Sequence, residues 1–464
     1  MSMFVVIGDT GAARQTCATL TGQGHRVHHL DRPDDDTLRT ACTGTVAGIA
    51  VLVHDDVMAL RYALAAAHID DTIPIITSVF DRTIADQLTS LLPHCEAVSP
   101  ADLAAPALAG PCVNAEWLAA RARRGVVSAA YLGDTGPAAL AFPVETRPLR
   151  SQFTDKLLGV LRPLDIGTRI LFGGFAGLNA ILVLDWLWLT LAGHPVLVSL
   201  HEAVRVVTTV GPASADHATA AYSLFGCLAM LMAVVFTAMF TAGVVDRLLS
   251  PRLAGMIGRR TLPRSHHVIV VGLGQVGLRL CRELQALGVP VIAIERNKDA
   301  PNLRLVRQLN IPTVVGHGGD RNLLERLGIH HARALAAVGS DELGNLAVTV
   351  AAQRVAPRVR VILRAGEQEA ISETRSLLPL GIVRDVNSLS AAYVVARLLG
   401  IPVDAVVTDG ATPFLKIAGT GFVEMRVLTG LHCTRTGPDH PRRSIETSAA
   451  PPATSARQPT ATRN

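Results

Sequence analysis

His267-Val-Ile-Val-Val-Gly-Leu-Gly-Gln-Val-Gly277 decides how this chain is read. Val268 to Val271 are four β-branched residues in a row, a strand apolar on both faces, as in a parallel sheet covered by helices. They run into Gly272-x-Gly274-x-x-Gly277. Gly272 permits a tight turn, Gly274 lets the backbone approach a pyrophosphate, and Gly277 lets the next helix pack close to the sheet. The helical pattern LRLCRELQALG follows, then VPVIAIE, ending on Glu295. A lone GxGxxG specifies little. Strand, glycine turn, helix, strand and acid at this spacing specify a dinucleotide-binding unit. The backbone of Leu273, Gln275 and Val276 presents N–H groups to phosphate at the helix start. Glu295 accepts from ribose hydroxyls and repels a 2′-phosphate, a preference softened by Arg296. The expected cofactor is NAD(H) or a related adenine nucleotide.

The same opening recurs near the start of the chain, as Phe4-Val-Val-Ile-Gly-Asp-Thr-Gly-Ala-Ala13. Gly8 and Asp31 are 23 residues apart, as are Gly272 and Glu295. IAVLVHDD then parallels ALAAVGSDE, and IPIITSVF parallels VRVILRAG. The acid-to-acid distance differs, 24 residues from Asp31 to Asp55 against 46 from Glu295 to Asp341. The first copy therefore lacks about a strand and a helix, by a repeat-period argument. Ala13 replaces the last fingerprint glycine, so nucleotide binding is expected to be weaker or absent there.

Composition places these units beside a membrane. The hydrophobic fraction is 49% and the charged fraction 17%, with a mean hydropathy of +0.35. That is too apolar for a wholly soluble chain and too charged for one embedded throughout. A net charge of +5 makes no case for nucleic acid. The seven cysteines are scattered without CxxC or Cys/His clustering, so neither a metal site nor a disulfide framework is indicated. MSMFVVIGDTG reads as a strand entering a glycine turn, not as a secretory leader. Ile170 to Gly193 carries one charge, Asp185, and Ala218 to Val245 carries none. Each exceeds the roughly 20 apolar residues needed to cross the hydrocarbon core. Arg150, Lys156, Arg162 and Arg169 precede the first run; Arg247, Arg252, Arg259, Arg260 and Arg264 follow the second; Arg205 stands alone between them. The positive-inside rule puts both termini in the cytoplasm and the chain in the plasma membrane as a multi-pass protein contacting lipid.

Between the runs, Pro195 to Thr208 is a largely apolar stretch too short to cross, followed by Thr208-Thr209-Val210-Gly211 and then Pro212. Span, short re-entrant helix, TTVG, span resembles the pore module of the potassium-channel family. The resemblance implies that backbone carbonyls at Thr208, Thr209, Val210 and Gly211 line an ion path, and that four chains complete the ring, with potassium as the transported ion. Pro212 and Ala213 depart from the family's aromatic residue and second glycine, and Asp216 stands two residues later than the family's aspartate. Proline fixes φ and alanine resists left-handed backbone, so the outer rings are expected to be reshaped and selectivity weakened.

After Glu295 the chain continues IPTVVGHGGDRNLLERLGI and ARALAAVGSDELGNLAVTVAAQRV. From about His267 to Leu399 it resembles the RCK domain, also called the TrkA N-terminal domain, the cytoplasmic nucleotide-binding regulator of potassium channels and transporters. The resemblance places Gly316 and His317 near the adenosine, with His317 where the family commonly has an acid, and Gly339 and Ser340 at the end of the fourth strand. The expected fold is a membrane α-helical hairpin with a re-entrant pore helix plus two α/β Rossmann-like (RCK) cytoplasmic domains. The expected boundaries are 1–110 for a shortened first RCK-like domain and 111–165 for a linker with a short helix from Trp117 to Arg124. The pore is expected at 166–247, the nucleotide-binding domain at 265–400, a partial extension at 401–433 and a disordered tail at 434–464.

No Ser/His/Asp order and no substrate domain accompany the dinucleotide unit, so an enzyme is not expected, and a membrane-tethered oxidoreductase is the weakest reading. The leading expectation is a nucleotide-regulated, tetrameric potassium (cation) channel or transport protein. The alternative is a non-conducting, membrane-anchored nucleotide sensor or regulatory subunit.

Overall fold

The computed structural model describes residues 1–134, 136–144, 166–210, 220–249, 256–257, 263, 265–366 and 381–428. A first α/β unit opens the chain: β1 (Met3–Ile7), α1 (Gly11–Gly22), β2 (Arg26–Leu30), α2 (Asp35–Ala41), β3 (Val46–Val51), α3 (Asp56–Ile69), β4 (Ile75–Ser78), α4 (Arg82–Leu91), β5 (Cys95–Val98) and α5 (Pro100–Val113). Its five strands lie in the order β2-β1-β3-β4-β5, all parallel. An antiparallel sheet follows, β6 (Trp117–Arg123), β7 (Val126–Gly133) and β8 (Gly136–Pro143). Three helices occupy the middle: α6 (Ile166–Leu191), α7 (Val196–Val207) and α8 (Ala220–Leu249).

The second unit then runs β9 (Met256–Ile257), β10 (Val268–Val271), α9 (Gln275–Ala286), β11 (Val291–Glu295), α10 (Leu303–Gln308), β12 (Thr313–Val315), α11 (Arg321–Arg326), β13 (Ala334–Ala337), α12 (Glu342–Val355), β14 (Arg360–Ala365), β15 (Ile382–Asp385) and α13 (Val386–Leu398). Its sheet is β15-β14-β13-β10-β11-β12-β9, parallel except for the short edge strand β9. A second antiparallel sheet closes the described chain, β16 (Val403–Thr408), β17 (Pro413–Ile417) and β18 (Gly421–Glu424).

The units repeat one plan. In each, a parallel sheet leads to a helix (α5, α13) and then to a three-stranded antiparallel sheet. They differ beyond β2: α2 leads directly to β3, whereas β11 is followed by a further strand, β12. Strands such as Val5-Val6-Ile7 and Val268-Ile269-Val270 are buried on both faces, as parallel sheets covered by helices require.

One core cluster contains residues of both units, among them Leu20, Leu108, Leu278 and Val395. It is built where α1 packs on α13 and α5 packs on α9 and α13. Since α1 corresponds to α9 and α5 to α13, the packing is pseudo-twofold within one chain. Polar contacts flank it. Arg279 Nε lies 2.6 Å from Asp102 Oδ1, Arg121 Nε donates to Glu283 Oε1 at 2.8 Å, and Arg397 Nη2 lies 2.7 Å from Glu96 Oε2. Cys112 and Cys281 are both fully buried at this junction, and burial pushes each thiol up to about 12.

Two expectations are corrected and one, the 401–433 extension, is filled in. Residues 117–143 are not a helix-bearing linker: Trp117–Arg123 is a strand. Arg124 and Gly125 both take positive φ, 51° and 79°, in the two-residue loop between paired Arg123 and Val126. That is hairpin chemistry, in which the primed turn matches the strand twist. The 401–433 extension carries a three-stranded sheet of its own, in the position that β6–β8 hold in the first unit. Cys17 is disulfide-bonded, a link that scattered cysteines could not reveal by spacing.

Candidate functional site

The glycine-rich turn sits at the C-terminal end of β10, where the chain direction divides the sheet. β11 and β12 build outward on one side, and β13, β14 and β15 on the other. Ligands of open α/β sheets bind at such a switch point. Gly272 has φ +95°, and a Cβ there would lie 2.7 Å from Gly339 Cα. A Cβ on Gly277 would lie 1.9 Å from the Gly272 oxygen. Both glycines are therefore demanded by the fold. Gly274 differs: a Cβ there would meet nothing within 4 Å. It is the N-cap of α9 and supplies no side-chain cap. The N–H groups of Gln275, Val276 and Gly277 thus have no intrahelical acceptor, and the space beside Gly274 at their head is open. Such an end attracts anions through its N–H groups and the helix dipole.

Glu295 stands at the end of β11 beside this turn. Its Oε2 accepts from the Leu273 N–H at 2.8 Å and its Oε1 from the Asn297 N–H at 2.9 Å. An ionised carboxylate has about four acceptor sites, so capacity remains for a ligand hydroxyl. Arg296 is exposed next to it. Across the cleft, His317 is exposed at the end of β12, and its Nδ1 accepts from the Gly319 N–H at 3.1 Å. Gly316 donates its N–H to the Glu295 carbonyl at 2.9 Å. Gly339 and exposed Ser340 follow β13. The twelve sequence-derived residues lie in the turn, in the first turn of α9, at the end of β11 or in the loops after β11, β12 and β13; the Leu273 N–H, expected to face phosphate, is taken by Glu295 instead.

Two positioning residues had no signal in the fingerprint. Asn345, 3% exposed, grips Gly339 from both sides: its Oδ1 accepts the Gly339 N–H at 2.8 Å and its Nδ2 donates to the Gly339 oxygen at 2.9 Å. Asn302, 8% exposed, donates to the Leu273 oxygen at 2.7 Å. For Asn345 the clue is an asparagine six residues after Gly339, since a buried amide must find partners; Asn302 lies 29 residues from Leu273 and offers no such clue. Among the described residues no group of three His, Cys, Asp or Glu is placed to hold a metal.

The first unit's turn is closed. Thr10 stands where the second unit has Gly274. Its hydroxyl donates to the Leu52 oxygen at 2.8 Å and accepts the Ala13 N–H at 3.1 Å. The start of α1 is self-capped, and Gly11 packs against Asn387 and Gly366 of the second unit.

In the middle of the chain, Ile170–Leu191 and Ala220–Val245 are long and apolar enough to cross a membrane, with mean hydropathies of 1.8 and 2.3. They pack together closely: a Cβ on Gly174 would sit 2.6 Å from the Phe240 nitrogen. Close approach at small residues is how helices associate in lipid. The 12-residue α7 is too short to cross. It ends in a Schellman pattern, Val210 N–H to Arg205 oxygen at 3.0 Å and Thr209 N–H to Val206 oxygen at 3.1 Å. Thr209 has φ 59°, a left-handed geometry that costs a β-branched residue about 1–3 kcal/mol. Thr208, Thr209 and Val210 are exposed in the single chain. Gly211, Pro212, Ala213 and Asp216 lie outside the described residues, as do the 434–464 tail and most of the flanking basic residues. Arg205 pairs with Glu202 at 3.8 Å, and Asp185 is fully buried.

Residues 268–384 match the TrkA-N domain family. Over 186 residues the chain is 27% identical to an uncharacterized protein of Methanothermus fervidus, covering 39% of this chain and 29% of that one. It is 21% identical over 109 residues to Potassium channel protein 1 of Methanocaldococcus jannaschii, 24% of this chain and 33% of that one. It is 25% identical over 137 residues to the Trk system potassium uptake protein TrkA homolog of Pyrococcus abyssi, 29% of this chain and 60% of that one. The GsuK channel structure aligns with 86% of this chain and 64% of its own at 13% identity, with a TM-score of 0.49. The chain thus spans between 29% and 60% of the length of these curated relatives. Turn, sheet order and family match together identify residues 268–384, in the second α/β unit, as a TrkA-N domain.

Proposed function

We propose that this chain is a nucleotide-regulated potassium (cation) channel or transport protein, whose second α/β unit binds NAD(H) or a related adenine nucleotide. The observation that carries the reading is the uncapped start of α9 at Gly274, bordered by Glu295. It occurs in a chain that also has two membrane-length helices with a short helix between them. The N–H groups of Gln275 and Val276 would hold the pyrophosphate and Glu295 the ribose hydroxyls. His317 and Ser340 would border the rest of the nucleotide. The first unit, self-capped by Thr10, would bind none.

On this reading α7 is a re-entrant helix whose C-terminal carbonyl end favours cations. Thr208, Thr209, Val210 and Gly211 would line the ion path, four copies closing the ring. Both termini would be cytoplasmic, and nucleotide occupancy would bias the pore. A related structure is titled GsuK channel bound to NAD, and two relatives are named for potassium transport.

The test is potassium flux from liposomes containing the purified chain, with NAD(H) present or absent on the face carrying the α/β units. The expected result is a potassium-dependent flux that changes with nucleotide. Absence of flux under every nucleotide condition would remove conduction and leave the membrane-anchored sensor.

A further inference from the structure

Between the two units, away from the glycine-rich turn, residues of β5, α5, β6, α9 and α13 border an open cavity of about 500 Å³. A second cleft, of about 230 Å³, lies alongside between the two small sheets and shares Asp102, Leu103, Arg121 and Arg123 with it. The two spaces differ in chemistry. Arg121, Arg123, Arg279 and Arg282 wall the cavity. The cleft is more apolar: alanines on β6, β7 and β16, among them Ala119, Ala129 and Ala405, line it beside Leu103, Val406 and Phe422. Facing sheets normally interdigitate larger side chains at close packing. Leu118, Val407, Phe414 and Phe422 fill part of the space between the sheets, and the alanines beside them leave a cleft with room for an apolar group.

Charge decides what the apolar group is attached to. Five cations line the two spaces, Lys416 being the fifth, against four carboxylates. Three of those carboxylates are already held: Asp102 by Arg279, Glu283 by Arg121, and Glu96 by Arg397 and the Tyr393 hydroxyl, which donates at 2.7 Å. Arg123 and Lys416 make no ion pair among the described residues. Arg123 and Lys416 thus outnumber Asp404, the lining carboxylate without an ion pair among the described residues, and an incoming anion meets a net positive charge.

We propose that this composite cleft binds a small organic anion. A phosphate or carboxylate group lies at the arginines, and its apolar body lies against the alanine-lined sheets. Both units contribute, and Arg279, Arg282 and Glu283 present one face of α9, at helical spacing, to the anion end. The site is separate from the nucleotide turn and does not depend on it.

The test is calorimetry on the full chain in lipid nanodiscs with two soluble probes, phenyl phosphate and benzoate, which separate a phosphate from a carboxylate preference. The expected result is saturable binding of at least one, with its uncharged analogue phenol and inorganic phosphate at least tenfold weaker. Gly274→Val, which blocks the nucleotide turn, should leave that binding unchanged. Arg123→Gln, at an exposed residue, should weaken it about tenfold, and Ala405→Phe, at a half-buried one, should remove it. No saturable binding of either probe would overturn the proposal. So would binding that survives both substitutions, or binding lost in Gly274→Val, which would put the probe at the glycine turn.

Discussion

Gly274→Val separates the fold from the ligand. A Cβ at 274 meets nothing within 4 Å, so the cost to folding is that of a poor N-cap, about 1 kcal/mol. The space it enters is the one that a pyrophosphate needs in front of Gln275 and Val276. Hydrogen bonds to a charged group are worth about 1.5–3 kcal/mol each. Losing two of them costs about 3–6 kcal/mol, or at least a hundredfold in affinity. Gly277→Ala is the contrasting perturbation. Its Cβ would lie 1.9 Å from the Gly272 oxygen, so the turn itself must move, and the overpacking costs about 1–3 kcal/mol of stability.

The assay is NAD-dependent thermal stabilisation of the full chain, backed by calorimetry. Wild type at a hundredfold excess over Kd should gain about 2.7 kcal/mol. Gly274→Val should melt within a few degrees of wild type without ligand and gain nothing from it. Gly277→Ala should melt lower even without nucleotide. Unchanged affinity in Gly274→Val would refute the pyrophosphate placement, and wild-type melting of Gly277→Ala would refute the close-approach argument.

Because Thr10 caps α1, titration of the full chain should give one nucleotide per chain, and Gly274→Val should give none. Asp385 is held above the usual carboxylate range by burial, against the hydrogen bonds from Ser388, Gln15 and Asn387, with the Glu342 charge raising it further. A carboxylate that binds its proton more tightly when folded destabilises the fold above its folded pKa and relaxes as pH falls toward 3.8. Asp385→Asn, which can still accept the Asn387 and Ser388 N–H groups, should be at least as stable as wild type at pH 7, with the gap closing as pH is lowered; a growing gap in thermal melts would contradict this. Cys112 and Cys281 are buried with thiols pushed up to about 12, so a maleimide should label them at pH 8 only after denaturation. Arg279→Leu removes the partner of Asp102, whose side chain is 35% exposed, and should cost about 1–3 kcal/mol in thermal or denaturant unfolding.

The second α/β unit was legible because its local signals agree with one another. Val268 to Val271, the glycine turn and the acid at Glu295 each point to the same strand-turn-helix-strand unit. The first small sheet was not legible for an equally physical reason. Trp117-Leu118-Ala119-Ala120-Arg121-Ala122-Arg123 is alanine-rich and suits a helix by intrinsic preference. Pairing with β7, set by the Arg124–Gly125 turn, overrides that preference. Asn302 was invisible because its partner, the Leu273 oxygen, is brought to it only by tertiary folding.

Thr10 shows why a fingerprint must be read atom by atom. Ala13 replaces the last fingerprint glycine, yet a buried alanine is accommodated there at no exposure. The decisive change is Thr10, whose hydroxyl occupies the helix start that Gly274 leaves open. The first unit nevertheless has a reason to persist without a ligand. Leu20 on α1 and Leu108 on α5 are fully buried in the same core cluster as Leu278 on α9 and Val395 on α13. Removing the first unit would strip one side of the helices that carry the second unit's turn. Burial contributes about 1.5–3 kcal/mol for each large side chain, so a few such residues outweigh any single hydrogen bond at the site. The first unit's packing face and its ligand turn are on different residues, and one can be lost while the other is kept.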